Sequence, residues 1–208
     1  MSRKRRSLSN RGFINRENIE ALVIAVILAL FIRTFIVQAF KIPSGSMEPT
    51  LLIGDHLLVN KFIYGITIPF TDKKIFEFKK PKQNDVIVFK YPLEPKKDFI
   101  KRVIGIEGDK ILIKNKKIFI NGKIYKNSKG VYIDRNLVRG PRDNLGPVIV
   151  PSNCLFVMGD NRDNSRDSRF FGFVERESIV GQARRVIGSF DITDKYQPRF
   201  KRFLSSLK

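Results

Sequence analysis

The longest apolar stretch of the chain lies close to its amino end. Residues 21–32 are twelve apolar residues in a row, and residues 35–37 continue the stretch beyond Arg33 and Thr34. As one helix, residues 19–40 would be about 30 Å long, which is the thickness of the hydrocarbon core of a bilayer. The pattern therefore predicts a single transmembrane helix over residues 19–40.

Basic residues are distributed unevenly on the two sides of this stretch. Residues 1–18 contain six arginines and lysines and one glutamate, whereas Lys41 is the only basic residue within residues 38–55. The positive-inside rule then places residues 1–18 in the cytoplasm and the chain after residue 40 outside. The apolar run also fits a cleaved secretory signal that ends at residues 37–39, Val-Gln-Ala, and this alternative exports the same domain.

Beyond residue 40 the chain consists of short apolar stretches separated by Gly, Pro and Asn. This pattern is typical of a mainly β domain. Residues 86–89, Val-Ile-Val-Phe, predict a buried strand. We expect one larger β domain, made of residues 41–109 and 148–190.

A smaller β-rich insertion is expected over residues 110–147. Residues 111–113, 118–120 and 124–125 are short apolar stretches that predict a three-stranded meander. An Asn-Gly pair at residues 121–122 supplies the positive φ angles that a two-residue hairpin turn requires. The remainder of the insertion is polar and interrupted by Gly and Pro, so we expect it to form loops.

Residues 191–208 form a basic segment in which four apolar residues recur at helical spacing. These residues are Phe200, Phe203, Leu204 and Leu207. A helix lying on the membrane surface would use both its apolar and its basic face. A helix packed on the body of the protein and a frayed basic tail fit the pattern equally well.

The chain of 208 residues carries a formal net charge of +20, which favours contact with anionic surfaces. It contains no zinc-finger spacing, aromatic RNA-binding signature or basic heptad helix, so we expect phospholipid and no nucleic acid as a partner. His56 is the only histidine and excludes any metal site that needs two. Cys154 is the only cysteine, and its apolar neighbours indicate a buried structural thiol.

The densest polar segment spans residues 158–169 and alternates acids with arginines. A calcium loop is disfavoured, because Arg162, Ser165 and Phe171 occupy positions that need Asp or Asn, Gly and Glu respectively. Alternating charges favour a network of charge-assisted hydrogen bonds that holds other groups in place. We therefore expect neither a metal nor a cofactor.

Two polar residues lie in surroundings that suggest catalysis. Ser46 lies in residues 43–51, Pro-Ser-Gly-Ser-Met-Glu-Pro-Thr-Leu, and lacks the second glycine of a Gly-x-Ser-x-Gly elbow. A triad with His56 is disfavoured, since the neighbours of that residue indicate the start of a strand. Lys101 has apolar pairs on both sides, and loss of water there lowers the pKa of a lysine from about 10.4 toward neutrality. The two residues together indicate a serine hydrolase whose base is a lysine.

Four ordered motifs resemble those of bacterial type I signal peptidases. They are the segments around Ser46 and Lys101, residues 54–65 and residues 159–173, and the match spans roughly residues 40–181. The resemblance implies a mainly β, membrane-anchored serine endopeptidase with a Ser/Lys dyad. Such an enzyme removes signal peptides from exported preproteins after small residues at positions −1 and −3. It would act on the outer face of the bacterial cytoplasmic membrane, close to the protein-export channel.

The resemblance also implies roles for individual residues. The catalytic group would be Ser46 as nucleophile, Lys101 as general base, the Ser44 hydroxyl with the Ser46 amide as oxyanion hole, and Ser165 as the residue that orients Lys101. Two ion pairs would support this group, Asp160 with Arg102 and Asp167 with Arg169. The substrate pockets would be lined by Phe40, Ile42, Met47, Leu51, Leu57, Val88, Phe99 and Ile100. Ordinary core packing is an equal alternative for each pocket residue.

Two other functions fit parts of the sequence. A self-cleaving repressor-type peptidase has a similar Ser/Lys core, but it carries a DNA-binding domain in place of the apolar amino-terminal stretch. A noncatalytic, membrane-tethered basic binding module would account for the net charge and for nothing else in the sequence.

Overall fold

The computed structural model describes residues 15–67, 74–75, 78–127, 129–192 and 194–207. Its regular structure is mainly β, as the sequence predicts. The strands are β1 (Val37–Lys41), β2 (Asp55–Asn60), β3 (Ile66–Thr67), β4 (Lys74–Ile75), β5 (Val86–Tyr91), β6 (Glu94–Gly105), β7 (Lys110–Lys114), β8 (Lys117–Ile120), β9 (Lys123–Ile124), β10 (Leu145–Ile149), β11 (Cys154–Met158), β12 (Val174–Glu175), β13 (Ile179–Asp191) and β14 (Gln197–Pro198). The described helical elements are α1 (Arg16–Phe31), α2 (Ser168–Phe171), a π-helical turn at Ile32–Ile36, and 3-10 turns at Gly45–Met47, Phe62–Tyr64, Arg176–Ser178 and Phe200–Arg202.

The helix at the amino end is shorter than the sequence predicts. α1 ends at Phe31, the π-helical turn follows to Ile36, and Val37–Lys41 forms β1. The predicted helical end at residue 40 is therefore wrong, because β1 forms an antiparallel ladder with β2 along its whole length. No helix within the described ranges is both long and apolar enough to cross a membrane. Of the predicted cytoplasmic tail, residues 1–14 lie outside the described part of the chain.

An antiparallel sheet of eight strands forms the larger β unit. Its strands follow the order β1-β2-β13-β5-β6-β11-β12, and β14 pairs with β13. The predicted strand at residues 86–89 lies within β5. Both faces of β5 are covered, because Val86 and Val88 belong to one core cluster whereas Ile87 and Phe89 belong to another. The neighbouring strand β6 is thus held against a strand that is packed on both sides.

The insertion contains a separate four-stranded sheet with the order β10-β7-β8-β9. β7, β8 and β9 form the predicted meander, so this prediction is confirmed. Asn121 and Gly122 have φ angles of 51° and 79°, as the two-residue turn requires. β10 pairs with β7 and runs to Ile149, beyond the expected end of the insertion at residue 147; local sequence patterns do not predict a pairing between segments so distant along the chain.

The carboxyl-terminal segment is attached to β13 and is not an amphipathic helix. Beyond the 3-10 turn, the Leu204 amide donates to the Val186 carbonyl at 2.7 Å and the Leu207 amide donates to the Arg184 carbonyl at 3.3 Å. Leu207 is 4% exposed and lies in the core. The helix expected within residues 191–208 is wrong for the described part of this segment. Hydrogen bonds to β13 and burial of Leu207 outweigh the weak helical preference of a short segment.

Candidate active site

Ser46 and Lys101 meet, although 55 residues separate them along the chain. Ser46 lies in the 3-10 turn Gly45–Met47 between β1 and β2, and Lys101 lies on β6. The Lys101 Nζ donates a hydrogen bond to the Ser46 Oγ at 2.7 Å. This distance is that of a direct hydrogen bond, so proton transfer between the two groups needs no intervening water.

Lys101 is buried, with 3% of its surface exposed. Burial, which removes water from the ammonium group, lowers the pKa of Lys101 from its ordinary value of 10.5 to about 8. The nearby Arg169 guanidinium also lowers this pKa, whereas the Asp167 and Asp160 carboxylates raise it. The Phe99 ring supplies part of the apolar wall, with its centroid 5.3 Å from Nζ. About one tenth of the amine is then neutral at pH 7, the form that can accept a proton.

The loop that carries Ser46 is tied at its base and at its tip. At the base, the Ile42 amide donates to the Asp55 carbonyl at 2.8 Å. At the tip, the Asn161 amide donates to the Ser46 carbonyl at 3.2 Å, and the Asn161 side chain donates to the Gly45 carbonyl at 3.2 Å. The buried Met47 side chain packs in the core below. Ser46 is therefore held on a loop with little freedom to move.

The predicted pair of Arg102 and Asp160 is present and fully buried. The Arg102 Nε donates to Asp160 Oδ1 at 2.8 Å, and Nη2 donates to Oδ2 at 2.6 Å. A third donor joins them, because the Thr50 hydroxyl donates to Asp160 Oδ2 at 2.6 Å. The pair thus connects β6, immediately after Lys101, with the loop of Ser46.

The predicted pair of Asp167 and Arg169 is also present, with both side chains fully buried. Asp167 accepts from Arg169 Nε at 2.8 Å and from Nη2 at 2.9 Å. Asp167 Oδ2 accepts further from the Gly159 amide at 3.0 Å. The carboxylate therefore fixes the backbone beside Ser46, since a Cβ at position 159 would lie 2.3 Å from the Ser46 carbonyl oxygen.

The two other serines expected at the site differ in exposure, since Ser165 is buried and Ser44 is exposed. Ser165 is 8% exposed, and its Oγ has no hydrogen-bond partner within the described chain. The expected hydrogen bond between Ser165 and Lys101 is thus absent from this structure, in which the Lys101 amine donates to the Ser46 Oγ. Ser44 is exposed and lies beside Ser46 in the wall of an open cleft.

This cleft has a volume of about 430 Å³, and both Ser46 and Lys101 line it. Its wall is formed by Phe40, Lys41, Ile42, Pro43, Ser44, Ser46, Met47, Asp98, Phe99, Ile100, Lys101 and Arg166. Five of the eight predicted pocket residues are among them. Leu51, Leu57 and Val88 do not line the cleft; they are fully buried in the core cluster that also contains Ile42 and Met47. For these three residues the alternative of core packing holds, because each side chain points into that cluster.

His56 and Cys154 stand apart from this chemistry. His56 lies on β2, where its ring contacts that of Phe190 at a centroid distance of 5.7 Å, so the predicted start of a strand is confirmed. Cys154 is half-buried on β11, and burial raises the pKa of its thiol. Within the described ranges, no group of three or more His, Cys, Asp and Glu side chains is arranged to hold a metal ion.

Comparison with known proteins assigns this architecture to a family. The family model described as signal peptidase, peptidase S26, matches residues 15–187. The chain belongs to this signal peptidase family. The prediction of a serine endopeptidase of the signal peptidase type, drawn from four sequence motifs, is confirmed at the level of the family.

Individual relatives extend over most of the chain. Signal peptidase I of Pseudomonas fluorescens is 40% identical over 191 residues, which cover 76% of this chain and 67% of that protein. Signal peptidase I of Aquifex aeolicus is 36% identical over 222 residues, which cover 81% of this chain and 82% of that protein. A crystal structure of a signal peptidase I from Enterococcus faecalis shares 31% identity and a TM-score of 0.42, and the match covers 50% of this chain and 97% of that one.

Four residues at this site were not predicted from the sequence, namely Thr50, Asn161, Asp98 and Arg166. Thr50 and Asn161 lie inside the recognised motifs, but a hydroxyl or an amide within a polar stretch gives no sign of its partner. Asp98 and Arg166 add charge to the cleft wall. Asp98 precedes the apolar residues that flank Lys101, and its position on the same strand was the available signal.

Proposed function

We propose that this chain removes signal peptides from exported preproteins with Ser46 as nucleophile and Lys101 as general base. The observation that carries the proposal is the direct hydrogen bond of 2.7 Å between a buried lysine amine and the serine hydroxyl. A serine hydroxyl is a weak nucleophile at neutral pH and needs an adjacent base. A desolvated lysine whose pKa is lowered to about 8 meets that need.

The reaction proceeds in two halves. In the first, the neutral Lys101 amine accepts the Ser46 proton while Oγ bonds to the scissile carbonyl carbon, and the resulting ammonium delivers that proton to the leaving amine. The product is an ester between Ser46 and the signal peptide. In the second half, Lys101 accepts a proton from a water molecule that attacks the ester, and the proton returns to Oγ as the acid leaves.

The oxyanion that forms in each half needs hydrogen-bond donors. We assign this role to the Ser44 hydroxyl and the Ser46 amide, because Ser44 lies beside the nucleophile in the cleft wall. A donor of this kind typically contributes about 3 to 4 kcal/mol of transition-state stabilisation. Ser165 is assigned to hold the Lys101 amine once the proton has moved, since its buried Oγ has no competing partner.

The cleft suits an extended peptide with small side chains. It lies between residues 40–43, at the end of β1, and residues 98–101 of β6. A peptide in β conformation can lie between two such segments and use backbone hydrogen bonds for affinity. Phe40, Ile42 and Met47 on one side, with Phe99 and Ile100 on the other, leave room for small residues at positions −1 and −3.

Membrane attachment is part of the proposal. α1 is apolar from Ala21 to Phe31 and has no buried residue; Leu22 and Ile24, for example, are 64% and 65% exposed. Apolar side chains that are exposed all around a helix favour a lipid environment. With basic residues 1–18 in the cytoplasm, the catalytic unit would lie at the outer face of the cytoplasmic membrane, in contact with phospholipid and near the export channel.

The test is cleavage of an Ala-x-Ala peptide by the full chain in detergent or lipid vesicles. Ser46→Ala and Lys101→Ala are each expected to lower kcat/KM by at least about 1,000-fold, because each removes one half of the dyad. Lys96→Ala is the matched control, since Lys96 is an exposed lysine of the same strand. Activity that survives Ser46→Ala would disprove the dyad.

A further inference from the structure

We infer that Arg202 is a positioning residue for the nucleophile loop, and that residues 199–207 act as a strap across that loop. The inference rests on the proposed function, since it assumes that Ser46 is the nucleophile. It assigns a role in turnover to a segment that lies outside the four motifs and whose sequence suggested only a basic tail or an amphipathic helix.

Arg202 holds the far end of the loop with three hydrogen bonds. Its Nε donates to Asp55 Oδ1 at 3.1 Å, and its Nη2 donates to Asp55 Oδ2 at 2.6 Å. The same Nη2 donates to the Thr50 carbonyl at 2.9 Å. Asp55 is fully buried, so its carboxylate depends on such donors for the solvation that it has lost. The planar fork of an arginine is the side chain that suits this two-oxygen contact.

Thr50 connects this contact to the catalytic group. Its carbonyl accepts from Arg202, and its hydroxyl donates to Asp160 at 2.6 Å. Asp160 in turn binds Arg102, the residue after Lys101 on β6. One residue of the loop is therefore held from two sides, by the strap and by the buried pair next to the general base.

The loop between these contacts is held together by its own hydrogen bonds and buried side chains. The Leu51 amide donates to the Met47 carbonyl at 2.9 Å, and the side chains of both residues are buried. Asp55 Oδ2 also accepts from the Leu52 amide at 2.9 Å, which fixes the return of the loop into β2. A displacement at Thr50 or Asp55 is therefore passed on to Ser46 rather than absorbed by a flexible segment.

Leu207 gives the strap a second contact with the loop of Ser46. Leu207 is 4% exposed and packs in the core cluster that contains Met47 and Leu51. The Leu204 amide and the Leu207 amide bind the backbone of β13, so the strap is anchored on the sheet itself. The strap thus connects the loop of Ser46 to the rigid strand β13. Attachment to a rigid element favours precise placement of a catalytic group.

The experiment measures kcat and KM of the full chain at a temperature well below its Tm, with Arg202→Met, Arg202→Lys and the exposed neighbour Lys201→Met as matched control. Arg202→Met is expected to lower kcat about 10-fold with KM changed less than about 2-fold, because a small misplacement of the nucleophile affects the reaction more than binding. Arg202→Lys should give an intermediate kcat, since it restores a cation to Asp55 without the fork. Lys201→Met should match the unaltered chain.

A purely structural role would lower Tm and leave kcat of the folded protein unchanged, and that result for Arg202→Met would overturn the inference. If Arg202→Met does not fold, Arg202→Lys is the deciding variant. A kcat of Arg202→Lys equal to that of the unaltered chain would then overturn the inference. Ser46→Ala measured in parallel separates the two proposals. An inactive Ser46→Ala variant together with a fully active Arg202→Met variant would disprove only the role of the strap. An active Ser46→Ala variant would disprove the dyad.

Discussion

The proposed role of Lys101 as general base, together with its lowered pKa, predicts an activity that depends strongly on pH. Only the neutral amine can accept the Ser46 proton, and the pKa of about 8 means that most of the amine is protonated at pH 7. We expect kcat/KM to rise with pH around a midpoint of about 8 and to fall about 10-fold for each pH unit well below it. The net difference from the ordinary value of 10.5 corresponds to about 3 kcal/mol, in which lost solvation of the ammonium outweighs the opposing attraction of the Asp167 and Asp160 carboxylates.

Admitting water to the amine should reverse this effect. Phe99→Ala removes the ring whose centroid lies 5.3 Å from the Lys101 Nζ, and the cleft beside it opens further to solvent. The midpoint should then move from about 8 toward 10.5, because burial is the largest cause of the lowered pKa. Phe170→Ala is the matched control, since that ring is 49% exposed and does not line the cleft.

The assay is hydrolysis of a fluorogenic Ala-x-Ala peptide from pH 6 to 10, with kcat/KM taken at each pH so that the free enzyme is observed. A flat profile between pH 6 and 9 in the unaltered chain would refute the assignment of Lys101 as the base. A midpoint that stays near 8 in Phe99→Ala would refute desolvation as the cause of the lowered pKa.

Three further predictions follow from the same contacts. Because the pKa of Lys101 is lower in the folded than in the unfolded chain, stability should rise by up to about 3 kcal/mol between pH 8 and 10.5, and Lys101→Met should abolish this rise in urea unfolding. Arg102→Met leaves the buried Asp160 carboxylate without its cation and should cost about 3 to 5 kcal/mol in urea unfolding. Gly159→Ala places a methyl group 2.3 Å from both the Ser46 carbonyl oxygen and the Ser165 Oγ and should lower kcat more than 10-fold through displacement of these two residues.

Each of these has an outcome that contradicts it. A rise of stability with pH that persists in Lys101→Met would mean that other titratable groups cause it. Loss of less than 1 kcal/mol in Arg102→Met would mean that water reaches Asp160. Unchanged kcat in Gly159→Ala, measured beside Gly108→Ala, would mean that the loop adapts. Gly108 suits this comparison because a methyl group there has no neighbour within 4 Å, although its positive φ adds backbone strain.

Local patterns predicted the parts of this structure that depend on neighbours in sequence. Val-Ile-Val-Phe at residues 86–89 and the Asn-Gly turn at residues 121–122 carry their own structural preference, and both are found where predicted. The surroundings of Ser46 and Lys101 suggested the pair and the motif resemblance supported it, but no local rule places residues 55 positions apart next to each other.

The errors share a physical cause, which is that tertiary contacts decide between equal local alternatives. Apolar residues 37–40 continue a helical pattern, yet pairing with β2 makes them a strand. Leu57 and Val88 are apolar on strands beside the cleft, but the sequence does not tell which face of the sheet meets substrate. The strap was missed for the same reason, since its basic and apolar residues have partners only in the folded chain.

The contact of Arg202 with Asp55 also bears on the order in which the molecule folds. The two residues are 147 positions apart, so the ribosome synthesises the loop of Ser46 long before it adds Arg202, which binds that loop. Contacts of such long range form late, because the chain between them must first be ordered. A growing chain that still lacks residues 199–207 would carry Ser46 on a loop without the contacts of Arg202. On the proposed role of the strap, the placement of Ser46 is completed only after nearly the whole chain has been synthesised.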